Sequence, residues 1–95
     1  MNVKLLRIIT GEEVLAEILS EDENTVTLQN GLVVLPNANG VGFAPWATVI
    51  SKEKKEITVN REHLVYMVEC DDSVQDKYES IFGTIVKPET KKLIL

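Results

Sequence analysis

The sequence has few of the residues that most often carry chemistry. It contains one cysteine, one histidine, one tryptophan, two tyrosines and two phenylalanines. A single cysteine cannot form an internal disulfide, and one histidine with one cysteine falls short of the four ligands of a structural zinc site. Walker loops, GxSxG elbows and HExxH motifs are also missing. The sequence therefore indicates no metal site, no cofactor and no enzyme.

The one histidine and the one cysteine are also badly spaced for a catalytic pair. A dyad of His63 and Cys70 needs the two side chains within hydrogen-bond reach. Both residues lie on or just beyond one predicted strand, so at about 3.3 Å per residue they are roughly 23 Å apart. We expect each of them to have a structural role.

Long apolar runs and strong positive charge are missing as well. No apolar run approaches the roughly 18 residues of a membrane-spanning helix. The first residues lack the basic region, apolar run and cleavage site of a signal peptide. Together with the single cysteine, this predicts a cytoplasmic protein with no membrane partner. The net charge of −5 argues against avid, non-specific nucleic-acid binding, which depends on lysine and arginine at the phosphates.

What the sequence does have is a series of short apolar segments separated by turn residues, which predicts a mainly β domain. Ninety-five residues make one domain, placed at residues 1–83, with residues 84–95 as a C-terminal tail. The strands are predicted at residues 3–10, 13–21, 25–35, 56–60 and 63–69, and a short helix is the alternative for the first. We expect Gly11 to adopt a positive φ in the first turn.

Three segments modify this strand pattern. Asn30 and Gly31 fit either a tight hairpin turn or a bulge within one long strand. Residues 36–42 read as a loop, and residues 43–50 as an edge strand or irregular arm, since Pro45 cannot donate a ladder hydrogen bond. An acidic cap precedes apolar residues at helical spacing, which predicts a helix over about residues 72–82, stopped by Gly83.

Two stretches resemble the sequence motifs of the Sm-like family (Sm, LSm and Hfq). The first motif places a glycine, an apolar residue, a small residue, an aliphatic residue and an aspartate at fixed spacing, matched here by Gly11, Val14, Ala16, Ile18 and Asp22. The second is an aliphatic frame, matched by Val59, Leu64 and Met67, with Asn60-Arg61 where the family has Arg-Gly. Compact bacteriophage-type Sm-like proteins are the most similar members.

The resemblance implies a fold and an assembly. The fold is a small five-stranded antiparallel barrel with an extra edge arm and a short C-terminal helix; it favours a strand for residues 3–10 and the bulge at Asn30. Family members pair the fourth strand of one subunit with the fifth of the next, which implies a homo-oligomeric ring of about five to seven copies. The implied subunit-interface residues are Ile57, Val59, Leu64, Tyr66 and Val68. In the last strand, strict alternation predicts that Leu64, Tyr66 and Val68 share one face and Val65 and Met67 the other.

The resemblance also implies single-stranded RNA binding at the ring pore, where two turns of the fold meet. The matching positions in this chain are Asp22, Asn24, Asn60 and Arg61. The alternative for residues 21–23 is a solvated acidic turn that takes no part in RNA binding. The alternative function is a ring-shaped adaptor or assembly protein that has lost the RNA pocket and binds a protein partner through Phe43 and Trp46. A structural reading of these two aromatic residues, packed under the arm, also stays open.

Overall fold

The computed structural model describes residues 1–82, which form six antiparallel strands, a short 3-10 turn and one helix. The elements are β1 (Val3–Ile8), β2 (Glu13–Glu21), β3 (Thr25–Asn37), β4 (Gly40–Pro45), β5 (Ile57–Asn60), the 3-10 turn (Arg61–His63), β6 (Leu64–Glu69) and α1 (Asp72–Phe82). The prediction of a mainly β, antiparallel fold with a short C-terminal helix is confirmed. The predicted stop at Gly83 and the tail at residues 84–95 lie outside the described residues.

The strands form one sheet in the order β4-β3-β2-β1-β6, and β5 pairs with β3 beside β4. Strand β3 is long enough to hold both partners on one edge: its first half pairs with β5 and its second half with β4. The sheet does not close. Within residues 1–82, β4, β5 and β6 each pair with one strand only, so each has an outer edge without a strand partner.

The sixth strand, β4, takes in the end of the predicted loop at residues 36–42 and the start of the predicted edge strand or arm at residues 43–50, of which only residues 43–45 lie in a strand. Strand β3 continues past Leu35 to Asn37, and Pro36 pairs with Val41 across a hairpin. The turn works because the Asn37 side chain accepts a hydrogen bond from the backbone N–H of Asn39 at 2.9 Å, and Gly40 adopts a φ of 123° that suits glycine. The predicted positive φ in the first turn is also confirmed, at 102° for Gly11.

A bulge in β3 turns the apolar side chains before it and those after it to opposite faces of the sheet. Asn30 and Gly31 together oppose Ala16, and Asn30 has a φ of 56°, a left-handed value that asparagine tolerates. The extra residue reverses the side-chain alternation. Leu28 before the bulge therefore faces one apolar cluster, and Leu32 after it faces another. The bulge was the preferred prediction for this pair, and it is confirmed.

The two apolar clusters lie on opposite faces of the sheet. The first, which we call the inner cluster, fills the inside of the curved sheet. It comprises Leu6, Ile8, Val14, Ala16, Ile18, Val26 and Leu28, with Trp46, Ile57, Val59, Leu64 and Met67 packed against it. The second, which we call the outer cluster, lies between the sheet and α1 and comprises Val3, Leu15, Leu32 and Tyr78. The helix thus covers the outer face of β1 to β3, where alternating strands would otherwise expose apolar side chains to water.

Tyr78 fixes the helix to the bulge. It is fully buried, its ring lies 4.9 Å from that of Phe82, and its hydroxyl donates to the carbonyl of Asn30 at 2.8 Å. Burial raises the pKa of Tyr78, so the hydroxyl stays protonated as a donor. Of the apolar residues predicted for the helix, Val74, Tyr78 and Phe82 face the cluster, whereas Ile81 is exposed.

Strand β6 departs from the alternation that the sequence predicted. The register shifts between Arg7 and Ile8 of β1, so that Val65 has no partner in the ladder. As a result Leu64 and Met67 both pack on the inner cluster, and Tyr66 points to the outer face. The prediction that Leu64, Tyr66 and Val68 share one face was wrong, because an unpaired residue reverses the two-residue period.

Candidate functional sites

The turn between β2 and β3 is organised by one carboxylate. Oδ1 of Asp22 accepts hydrogen bonds from the backbone N–H groups of Asn24 and Thr25, both at 2.8 Å, and Oδ2 accepts one from the Thr25 hydroxyl at 3.1 Å. The N–H of Asn24, followed by the two groups of Thr25, lowers the pKa of Asp22, because these donors favour the ionised form. Both carboxylate oxygens are therefore already engaged within the turn.

Arg61 joins this turn to the one that follows β5. Its backbone N–H donates to the carbonyl of Asn24 at 2.8 Å. Its Nε donates to the carbonyl of Asp22 at 2.6 Å, and its Nη2 lies 2.5 Å from Oε1 of Glu21. The four residues predicted for RNA binding, Asp22, Asn24, Asn60 and Arg61, are thus brought to one place. We call this place the turn junction, and it borders a cavity of about 310 Å³.

The turn junction is strongly acidic. Four carboxylates lie on its two turns, at Glu21, Asp22, Glu23 and Glu62, against the single cation of Arg61. No aromatic side chain lines the cavity, whose walls are Glu23, Asn24, Asn60, Arg61 and Glu62. The amides of Asn24 and Asn60 can hydrogen-bond a ligand. A phosphate, however, would be repelled by these carboxylates. Arg61 would offset little of that repulsion, because it is already hydrogen-bonded to the Asp22 carbonyl and the Glu21 carboxylate of the neighbouring turn.

The residues predicted for the subunit interface have different surroundings. Ile57, Val59 and Leu64 are half-buried against the inner cluster. Val68 is 44% exposed on β6, and Val65, which is not among the predicted interface residues, is 59% exposed on the same strand. Apolar surface is thus available on β6 at the open edge of the sheet, although most of the residues named for it support the fold.

Tyr66 belongs to a polar network on the outer face of β1, β2 and β6. Its hydroxyl donates to Oε2 of Glu13 at 2.5 Å, and Nε of Arg7 lies 3.4 Å from the same hydroxyl. Arg7 also forms an ion pair with Glu13 at 3.6 Å, and its guanidinium lies 5.9 Å from the centre of the Tyr66 ring. The hydroxyl of Tyr66 and the nearby carboxylate raise the pKa of Arg7. Tyr66 therefore links three strands of its own subunit.

Phe43 and Trp46, the predicted partner surface, both pack against the domain. Phe43 contacts the outer cluster beneath α1, and Trp46 contacts the inner cluster. A Cβ atom at Gly31 would lie 3.0 Å from Cε3 of Trp46, and the backbone N–H of Trp46 donates to the Gly31 carbonyl at 3.1 Å. Only glycine lets the indole approach the bulge this closely, which favours the structural reading of both aromatic residues.

A second cavity lies beside Trp46, where the arm leaves the sheet. We call it the arm cavity; its volume is about 420 Å³. It is lined by Asn30, Gly31, Leu32, Pro45, Ala47, Thr48, Ile50, Ser51, Lys52, Lys55, Ile57 and Phe82. This site was not predicted from the sequence. The available signal was an apolar residue, Ile50, followed at once by the charged turn at residues 51–55.

The one histidine and the one cysteine are separated by strand β6. His63 ends the 3-10 turn before this strand and is exposed, whereas Cys70 follows it and packs against the outer cluster. Burial raises the pKa of the Cys70 thiol. Within residues 1–82, no group of three or more His, Cys, Asp or Glu side chains is arranged to hold a metal ion. The helix that the structure describes there is too short and too polar to cross a membrane.

No protein-family model matches the chain, and a search of curated proteins gives no match. Any family assignment therefore depends on the two motifs at residues 11–22 and 59–67. The features of the structure that bear on function are the open strand edges, the turn junction and the arm cavity.

Proposed function

We propose that this chain is a ring-forming, Sm-like assembly or adaptor protein that binds other proteins. The observation that carries the proposal is that β5 and β6, the two strands that the resemblance implies for the contact, both have open edges; β4 has an open edge as well. Each edge presents backbone N–H and C=O groups that have no strand partner among the described residues. Such edges favour pairing with another chain.

The two edges are different strands, so pairing β5 of one copy with β6 of the next is a head-to-tail contact. Head-to-tail contacts give closed rings when the rotation between copies closes. Two features of β6 support its use as a contact strand. Val65 and Val68 expose apolar surface along it, and no proline or inward-pointing charge interrupts the sequence from Leu64 to Val68.

A protein partner is favoured over RNA because of the charge at the turn junction. In a ring of the Sm-like type this junction faces the pore, where each copy would add four carboxylates and one arginine. The chain as a whole also carries a net charge of −5. Binding of a polyanion through that surface would bring carboxylates close to phosphates without enough cations to offset them.

Light scattering on a size-exclusion column tests the ring. We expect a mass several times that of the 10.6 kDa chain. Val68→Lys should shift the species toward monomer, because a charge on the contact strand opposes pairing. The matched control is Leu19→Lys on β2, which alters a side chain of similar exposure, 43% against 44%, away from the open edges. A folded monomer for the unaltered chain would overturn the proposal.

Single-stranded RNA binding is the second candidate, supported by the meeting of Asp22, Asn24, Asn60 and Arg61 at one junction. Fluorescence anisotropy with short oligo(U) and oligo(A) at low salt tests it. Binding that is lost in Asn60→Ala and retained in Asn39→Ala, a substitution in the distant β3–β4 turn, would favour RNA over a protein partner. An unchanged anisotropy at micromolar protein would exclude the RNA function.

A further inference from the structure

The arm cavity combines an apolar wall with a basic rim. The walls are contributed by Leu32 on β3, by Pro45 at the end of β4, by Ala47 and Ile50 on the arm (residues 46–56), by Ile57 on β5 and by Phe82 at the end of α1. A volume of about 420 Å³ lies within the usual range of small-molecule sites, which are mostly apolar with a few polar groups that orient the ligand.

The cavity exists because the arm is held at one point and stands away from the sheet elsewhere. Trp46 packs on Gly31 and donates its backbone N–H to the Gly31 carbonyl. Beyond this attachment, β4 has ended and β5 has not yet begun, so residues 47–56 run without a ladder partner among the described residues. The edge of β3 around the bulge is thereby left open to a ligand.

Two lysines on the rim distinguish this cavity from the acidic turn junction. Lys52 and Lys55 line it, and neither lies within ion-pair distance of a carboxylate in residues 1–82. By contrast, Lys4, Arg7 and Arg61 each form an ion pair with a glutamate. In a chain with a net charge of −5, two cations without a described partner beside an apolar wall are complementary to a ligand that is apolar and anionic.

We propose that the arm cavity binds a small-molecule carboxylate with an apolar body, such as a short alkyl acid. The alkyl part would lie against Leu32, Ala47 and Ile50, and the carboxylate would face Lys52 and Lys55. This inference goes beyond the proposed assembly function and does not depend on it, because every residue of the site belongs to one copy of the chain.

The test uses octanoate as the probe and records backbone amide shifts of the full chain by NMR. Octanoate below its micelle concentration should cause saturable shifts at residues 30–32 and 45–57. Octanol and octylamine, which keep the alkyl chain but replace the carboxylate by a neutral or cationic group, should bind at least about fivefold more weakly. Equal binding of all three would overturn the role of the lysines, and no saturable shifts at millimolar octanoate would overturn the site.

Matched variants test whether octanoate binding depends on the two rim lysines or on the net charge of the protein. Lys52→Gln with Lys55→Gln should weaken octanoate binding about fivefold or more. Lys54→Gln with Lys77→Gln removes the same charge from positions that do not line the cavity, and it should leave the affinity unchanged. An equal loss in both double variants would mean that only net charge matters, which would overturn the proposal.

A second pair of variants tests the apolar wall. Ile50→Ala removes a lining side chain that is 37% exposed, whereas Val49→Ala removes a neighbouring one that is 95% exposed and outside the cavity. The first should weaken octanoate binding about threefold to tenfold, and the second should not. Amide spectra without ligand show whether each variant keeps the fold, so a loss of binding in a folded Ile50→Ala supports the site. Unchanged binding there would contradict it.

Discussion

The two halves of strand β3 border surfaces of opposite character. The first half pairs with β5 and adjoins the turn junction, where Arg61 is hydrogen-bonded to the Glu21 carboxylate and to the Asp22 carbonyl. The second half pairs with β4 and adjoins the arm cavity, where Lys52 and Lys55 have no described carboxylate partner. In the turn junction the one cation is already engaged in joining two turns, whereas the two lysines beside the apolar wall of the arm cavity remain available to an anionic ligand.

The largest expected effect concerns the second half, where packing against the bulge is tight. Gly31→Val should lower the free energy of unfolding by about 1–3 kcal/mol, because it forces extra atoms against Trp46. A Cβ atom alone would already lie 3.0 Å from Cε3 of that ring. Gly42→Val on β4 is the control, since its nearest neighbours lie at 3.5 Å and beyond. Urea denaturation measures both, and an equal loss in the two variants would contradict the packing argument.

Removal of the Tyr78 hydroxyl should have the next largest effect. Tyr78→Phe leaves the carbonyl of Asn30 without its 2.8 Å donor, which should cost about 1–2 kcal/mol. The pKa of Tyr78 is raised from its ordinary value of 10.0, so its contribution is present below that pH and is lost as the pH rises toward the folded-state value. Urea denaturation across alkaline pH should show this extra loss in the unaltered chain and not in Tyr78→Phe.

A smaller effect is expected from the link between the two turns in the first half. Arg61→Gln removes the side-chain contacts to Glu21 and to the carbonyl of Asp22. These groups are partly exposed, so the loss should be about 0.5–1 kcal/mol. Thermal unfolding measures it, with Lys54→Gln as a control of equal charge change. A loss larger than that of Gly31→Val would reverse the ranking of the two halves.

The smallest effect is a pH dependence at the turn junction. The pKa of Asp22 is lowered from its ordinary value of 3.8, so its contribution to stability is present above that value and is lost as the pH falls through the folded-state value. Asp22→Asn should therefore destabilise the protein at neutral pH, and by less than Tyr78→Phe. The difference between Asp22→Asn and the unaltered chain should narrow in acid; a gap that stays constant with pH would contradict the assignment.

Local chemistry explains which features the sequence predicted well. Gly11 and Asn30 adopt positive φ values that their residue types tolerate, and the Asp22 side chain accepts the hydrogen bonds that hold its turn. The two turns therefore followed from residue type, whereas the preference for a bulge over a hairpin at Asn30-Gly31 came from the motif resemblance. The alternation in β6 could not be predicted, because the unpaired Val65 is set by the register with β1 and not by its neighbours in sequence. Strand β4 was predicted only in part: residues 43–45 fall in the predicted edge strand or arm, but residues 36–42 were predicted as a loop, although Pro36 sits at an edge position that tolerates it.

The candidate sites divide in the same way. The meeting of the two turns followed from the motif resemblance, since each turn is a short local signal. The arm cavity draws residues from β3, the arm, β5 and α1, and nothing in the sequence indicates which of these segments become neighbours. The packing of Trp46 against Gly31 could likewise not be predicted, because the two residues come into contact only in the folded chain.

The pairing of β1 with β6 has a consequence for how the chain folds. Lys4 lies opposite Glu69, 65 residues away, so this is the pairing with the greatest loop-closure entropy in the described sheet. The hairpins of β1 to β4 join near neighbours and can form early, but Leu6 and Ile8 stay uncovered until Leu64 and Met67 arrive. We expect a fragment of residues 1–60 to give the poorly dispersed amide spectrum of an unfolded chain, because it lacks both β6, which covers Leu6 and Ile8, and α1, which covers the outer cluster.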